Sequence, residues 1–341
     1  MSKIVTFGEI MLRLAPNGYY RFFQNDQLQA TFGGAEANVA VSLANFGEKV
    51  SFVTKVPAHA IGQGAINSLR SFGVDTSFIS RGGDRLGIYY LEKGANQRGS
   101  VCIYDRAHSS ISQADLSDFD WNEIFEDADW FHFTGITPAL GSNVLAICKQ
   151  ACEEAKKRNI TVSCDLNYRG KLWSKDAARI AMTELCNFVD VCIANEEDAK
   201  SVFDIEAENT DIYAGKINKA GYEAVAKKLK LIFAFKYVAF TLRSSISATV
   251  NEWAGMLFDG KQYYYSKEYH FDGIIDRVGG GDSFGAGLIY ALRKGLSVQK
   301  SIEFAVAASA LKHSIEGDYN RVSVAEVEKL ASGDASGRVQ R

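Results

Sequence analysis

Short apolar runs of strand length alternate with longer stretches of helical periodicity along most of this chain. That alternation limits its fold more than any other feature. Ile4-Val5-Thr6-Phe7-Gly8 reads as a first buried strand closed by glycine, and Val50–Val53, Trp130–Phe133, Ile160–Asp165, Val189–Ala194 and Tyr237–Leu242 are runs of the same kind. Between or after them lie helical patterns at Ala35–Phe46, Ile61–Phe72, Asn143–Arg158, Tyr222–Lys230 and Ser301–His313, the first two closed by Gly47 and Gly73. Strands alternating with helices predict a mostly parallel sheet covered on both faces. Two stretches break the rhythm. Met11–Phe32 and Leu86–Arg106 are rich in Tyr, Phe and Gly and carry short alternating runs such as Ile88-Tyr89-Tyr90-Leu91-Glu92. They predict antiparallel hairpins added to the α/β body, placed to act as a lid.

With 341 residues the chain can build one large α/β unit with an added lobe and needs no disulfide or structural metal. A net charge of −3 supplies no global field for nucleic acid or an anionic membrane, so a bound anion must meet a local site. Six cysteines without a CxxC pair or zinc spacing predict free thiols in a reducing compartment, which together with the lack of a signal pattern points to the cytoplasm. Residues 332–341 are small and polar and are expected to form a loose tail.

The chemistry concentrates in Asp276-Arg277-Val278-Gly279-Gly280-Gly281-Asp282-Ser283-Phe284-Gly285. Phe284, Leu288, Ala291 and Leu292 recur at helical spacing, so a helix starts near Ser283. Three glycines ahead of a helix N-terminus let amides approach an anion closely. Asp282 beside such a site would repel a phosphate, yet it is well placed to accept a proton from an attacking hydroxyl. Two rival readings exist. Asp282 could be a plain N-cap. Gly281-Asp282-Ser283-Phe284-Gly285 also fits the GxSxG elbow of hydrolases, with His313 and Glu303 or Glu316 downstream. No GxxxxGK[ST] loop occurs.

Three further groups stand at strand ends or glycine turns: Gly33-Gly34-Ala35-Glu36-Ala37-Asn38, Asp165-Leu166-Asn167-Tyr168-Arg169, and Asn195-Glu196-Glu197-Asp198. Polar residues just beyond a strand's C-terminal end are where open parallel sheets bind ligands, and the carboxylates of the last group could hold Mg²⁺ through water.

Taken in order, these motifs resemble those of the ribokinase-like (phosphofructokinase-B type) carbohydrate kinases, over Ile4 to about Asp318. The resemblance implies a three-layer α/β/α sandwich with a small β-sheet lid: a core of residues 1–10, 31–85 and 107–331, and a lid of 11–30 and 86–106. Within that family, Gly8-Glu9-Ile10-Met11-Leu12-Arg13-Leu14, Tyr104-Asp105-Arg106, Asp165–Arg169 and Lys312-His313 are similar to the branch acting on 2-keto-3-deoxy sugar acids. It implies sugar contacts at Gly34, Asn38, Tyr90 and Asn167, and a substrate carboxylate held by Tyr104, Arg106 and Arg169. It further implies nucleotide contacts at Asn195, Thr241 and Arg243, with Gly279, Gly280, Gly281 and Asp282 at the transferring phosphate. ATP and Mg²⁺ are the implied cofactors, the metal near Asp198 through water. The implied partners are a small sugar acid and ATP, with no nucleic acid or membrane, in a homo-oligomer formed through the lid. Family members commonly carry Glu where Asp198 stands, and Arg277 in the glycine turn leaves a monovalent-cation requirement open. A neutral-sugar kinase, such as a fructokinase, and a non-catalytic binding protein are the alternatives.

Overall fold

The computed structural model describes residues 2–195, 197–206 and 218–334. The first half contributes strands β1 (Lys3–Phe7), β2 (Met11–Ala15), β3 (Gln29–Gly33), β4 (Val50–Val56), β5 (Ile79–Arg81), β6 (Gly87–Glu92), β7 (Val101–Asp105), β8 (Ala128–Thr134) and β9 (Thr161–Asp165). The second half adds β10 (Val191–Ala194), β11 (Tyr237–Ser245), β12 (Asn251–Phe258), β13 (Tyr263–Tyr265) and β14 (Tyr269–Phe271). The helices are α1 (Ala35–Asn45), α2 (Ala60–Arg70), α3 (Trp121–Ile124), α4 (Ser142–Lys157), α5 (Lys175–Cys186), α6 (Asp198–Phe203), α7 (Lys219–Phe233), α8 (Gly280–Arg293), α9 (Val298–Lys312) and α10 (Val324–Ser332).

Ten strands form the main sheet, in the order β13-β12-β11-β10-β9-β8-β1-β4-β5 with β14 also on β12. From β5 to β11 every pairing is parallel, and the last three strands join antiparallel. Each apolar run named from the sequence lies in this sheet. Two apolar clusters, one centred on Phe131, Phe133 and Phe240 and the other on Phe52, Phe284 and Leu288, account for its burial. A fold with a mixed main sheet, helices on both sides and a smaller separate sheet is the one the resemblance implies.

The two irregular stretches make the smaller sheet, β3-β2-β6-β7. Each stretch is an antiparallel hairpin, and a parallel pairing of β2 with β6 fuses them. Strand alternation gives this sheet two unlike faces. Met11, Tyr89, Leu91, Cys102 and Tyr104 line a cavity against the main body. On the other face Leu12 is opposite Ile88, Leu14 opposite Tyr90 and Tyr90 opposite Ile103. Of the expected tail, residues 335–341 lie outside the described residues, while Ser332 closes α10.

Candidate active site

A cavity of about 360 Å³ opens between the small sheet and the C-terminal ends of β8, β9, β10 and β11. Its floor is the start of α8. The helix begins at Gly280, three residues earlier than its periodicity predicted, with Gly279 as N-cap at φ 81°. Glycine is needed here twice over: the conformation is left-handed, and a Cβ on Gly279 would overlap the main-chain carbonyl of Asp318. Gly280 has similarly little room, because a Cβ would come within 2.8 Å of the His313 ring. Gly281 faces open space. The Gly280 amide is spent on the Arg277 carbonyl at 3.2 Å. The amides of Gly279, Gly281 and Asp282, with the partial positive charge of a 14-residue helix behind them, are left to meet an anion.

Asp282 is therefore the third residue of the helix and not its cap. Its Oδ2 accepts a 2.7 Å hydrogen bond from Asn38 Nδ2, and Asn38 Oδ1 in turn accepts from the Gly34 amide at 3.3 Å. Gly34 has no room for a side chain, since a Cβ would overlap the Glu9 carbonyl. The Gly33-Gly34 turn thus sets Asn38, and Asn38 sets Asp282. Asp282 sits deep in the cavity, and burial raises its pKa from 3.8 to about 6, with the Asn38 bond acting in the opposite sense. A carboxylate held there, ionised at neutral pH but near its pKa, has the properties of a general base.

On the small-sheet side stand Tyr104 and Arg106, and across the cavity Asn167 and Arg169. Arg106 is buried and donates through Nε and Nη2 to Glu9 Oε2. That ion pair orients the guanidinium over the Tyr104 ring, 5.4 Å from its centroid. The Tyr104 hydroxyl is pushed up to about 12 by burial and by the neighbouring Cys102 thiol, so it stays a donor. Arg169 is exposed, and its charge is felt at Asp165, Asp198 and Asp282. Tyr90 is not in the cavity. Period-two alternation turns it to the opposite face of β6, and the tyrosine that lines the cavity is Tyr89.

Asn195, Thr241 and Arg243 line the cavity end nearest β10 and β11. Asp198 is buried there. Its Oδ1 accepts from the Tyr168 amide and its Oδ2 from the Asn195 amide, both at 2.9 Å, which ties the loops after β9 and β10 together. Burial raises the pKa of Asp165 and of Asp198; for Asp165 the neighbouring Asp198 charge adds to the effect. Glu196, within the same run, lies outside the described residues. Among the described residues, no three carboxylates, histidines or cysteines form a metal cage. Asp198 has lone pairs left that can accept from a metal-bound water, and that fits an ion held chiefly by a phosphate ligand.

Residues 1–323 match the model of the pfkB family of carbohydrate kinases. The chain belongs to that family. It is 50% identical to 2-dehydro-3-deoxygluconokinase from Thermotoga maritima, whose crystal structure superimposes with a TM-score of 0.94 over 98% of this chain and 100% of that one. Among curated proteins, the 2-dehydro-3-deoxygalactonokinase of Haloferax volcanii is 30% identical, covering 98% of each chain. The 2-dehydro-3-deoxygluconokinase of Bacillus subtilis is 26% identical over 96% of this chain and 94% of its own length.

In this carbohydrate kinase the hydrolase reading of Gly281–Gly285 has no structural support. No strand leads into Gly281, the Ser283 hydroxyl is buried without a partner among the described residues, and His313 Nδ1 is bonded to the Ser309 carbonyl. Burial lowers the His313 pKa to about 4, and its ring packs between Phe271 and Trp253.

Sequence reading missed a buried charge cluster below the cavity. Arg13 Nη1 donates to Asp318 Oδ1 at 2.8 Å and its Nη2 to Asp276 Oδ2 at 2.5 Å, and the Tyr89 hydroxyl reaches Asp318 at 2.6 Å. The cluster links small sheet, glycine turn and the loop after α9. Its one sequence signal was Arg13 at an inward position of an alternating strand. Glu36, within the glycine turn read from the sequence, accepts from the Thr134 amide and from the Thr134 and Thr137 hydroxyls. Burial raises its pKa to about 7 despite those bonds.

Proposed function

We propose that this kinase transfers the γ-phosphate of ATP to the 6-hydroxyl of 2-keto-3-deoxygluconate. The observation that carries the reading is the pairing, across one cavity, of Asp282 at a helix N-terminus with Tyr104, Arg106 and Arg169. The first is the equipment for phosphoryl transfer to an alcohol. The second is a planar, doubly cationic site suited to a carboxylate, for which a neutral hexose would have little use. The names of the 50% and 26% identical relatives support the same substrate.

The sugar acid places its carboxylate against Arg106 and Arg169 and its far end against Asn38 and Asp282. Asp282 takes the proton of the 6-hydroxyl as the oxygen attacks in line. The amides of Gly279, Gly281 and Asp282 stabilise charge on the transferring phosphoryl. Thr241, Arg243 and Asn195 contact the nucleotide. Asp198 would hold Mg²⁺ through water, and the ion would supply charge neutralisation at the phosphates. The small sheet acts as the lid that keeps water out. A second copy of the chain covers the apolar outer face of that sheet, where Ile103 is 50% exposed. Free buried thiols fit a reducing cytoplasm.

ADP release across a panel of 2-keto-3-deoxy acids, hexoses and pentoses tests the reading. Turnover with the gluconate-derived acid should exceed that with fructose or ribose by at least tenfold. Preference for a neutral sugar would overturn the substrate, and preference for the galactonate-derived epimer would move it to the chemistry named for the Haloferax volcanii relative.

A further inference from the structure

Lys312 ends α9 and points back beneath the glycine turn. It is 0% exposed, and its Nζ donates to the main-chain carbonyls of Ile315 at 3.0 Å and Asp276 at 3.5 Å. Its Cε lies 3.3 Å from where a Cβ on Gly279 would stand. An ammonium buried this fully is costly unless its surroundings compensate it. Burial depresses the lysine's pKa and Arg13 adds to that, while Asp276 and Asp318 act against it and two carbonyl dipoles face the ammonium. Neither carboxylate bonds Lys312 directly. Asp276 spends its oxygens on Arg13, on the Val278 amide at 3.1 Å and on the Gly317 amide at 3.2 Å, and Asp318 on Arg13 and Tyr89. A point charge cradled by carbonyls of two loops resembles a bound cation more than a salt bridge. Both loops bear on the site: the Asp276 carbonyl opens the turn that ends at Asp282, and the loop after α9 supplies the Asp318 carbonyl packed on Gly279.

We infer that Lys312 is a positioning residue for phosphoryl transfer, a built-in cation that holds the glycine turn in its anion-binding shape and adds positive potential beneath the transferring phosphate. The inference rests on the kinase reading of the site. It differs from a purely structural role because a free cation should replace the lost ammonium once room exists for it.

The test uses Lys312→Met, which fills the space without charge, and Lys312→Ala, which empties it, in the full chain. Both should lower kcat by about 10²-fold, the scale of losing one oxyanion donor, with both KM values within about threefold of wild type. Ammonium or methylammonium chloride should restore kcat of Lys312→Ala at least tenfold and leave Lys312→Met unchanged. Tetramethylammonium chloride, too large to enter, should restore neither. Near-normal kcat in Lys312→Met, or a loss in Lys312→Ala that no small cation reverses, would overturn the inference. Should Lys312→Ala fail to fold, purification in ammonium and in tetramethylammonium chloride decides: active protein from ammonium alone supports the tethered cation, and none from either overturns it. Failure of the kinase reading itself would show separately, as wild-type protein inactive on the whole sugar panel.

Discussion

The two sheets solve opposite problems. The main sheet is apolar on both faces, with Phe131, Phe133 and Phe240 at or near zero exposure between helices. The small sheet has four strands, too few helices to cover it, and a charged residue, Arg13, fully buried on its inner face. The main sheet derives stability from burial and offers its strand ends as a platform. The small sheet spends its inner face on Arg13, Tyr89 and Tyr104, the first two held in place by Asp276 and Asp318 of the main body. On the proposed reading, the base Asp282 belongs to the platform, and the carboxylate contacts are shared between the small-sheet side, with Tyr104 and Arg106, and the platform, with Arg169.

The comparison can be broken at its strongest point by Asp282→Asn. Loss of a general base is worth about 10²–10⁴ in rate, so kcat should fall by that factor while KM changes little; a variant with near-normal kcat would remove Asp282 from the mechanism. Phe131→Ala, in the main sheet, should cost about 3–5 kcal/mol in a denaturant melt of the monomer, against under about 1 kcal/mol for Ile103→Ala on the outer face of the small sheet. Equal costs would mean the small sheet is as integral to the core as the large one. Arg169→Ala should raise the sugar-acid KM by about 10–100-fold and leave the ATP KM within about threefold, the loss of one charge-assisted bond; an ATP effect of the same size would place Arg169 on the nucleotide. Tyr89→Phe, which removes a buried bond to Asp318, should lower kcat/KM by roughly tenfold where Tyr90→Phe changes nothing.

The smallest effect concerns pH. Asp282 must be ionised to accept a proton, and its pKa of about 6 lies above the ordinary 3.8. Activity should therefore be full at neutral pH and lost as pH falls through about 6. Asn38→Ala removes the bond that holds the pKa down, so its acid limb should move to higher pH, seen in kcat/KM profiles. A shift to lower pH would show that Asn38 does not act on the ionised carboxylate.

The parallel strands and most helices were legible because their periods are set by burial, a property each segment carries by itself. The start of α8 was not, since glycine has no hydrophobic signal and the helix begins inside a glycine run. Tyr90 was misplaced for a similar reason. Two adjacent tyrosines satisfy either phase of a strand, and only the register with β7 decides which faces inward. The Arg13–Asp276–Asp318 cluster spans 305 residues of sequence between its ends, and no local pattern announces a pairing at that range. The place of Asp282 in the first turn of a helix, by contrast, could be read from its own neighbours, because a glycine run ahead of an apolar helical period is a local pattern.

Asp318 touches two glycines that lie in different lobes. Its carboxylate occupies the place a Cβ on Gly33 would need, and its carbonyl the place a Cβ on Gly279 would need. Substitution at these three positions cannot proceed independently. A side chain at 33 would first require a shorter residue at 318, which would leave Arg13 hydrogen-bonded to Asp276 alone, whereas a side chain at 279 would require the main chain at 318 to move, whatever residue stands there. The three sites are thus expected to drift together or stay fixed together, so this part of the molecule should evolve as one unit although its members are scattered from end to end of the chain.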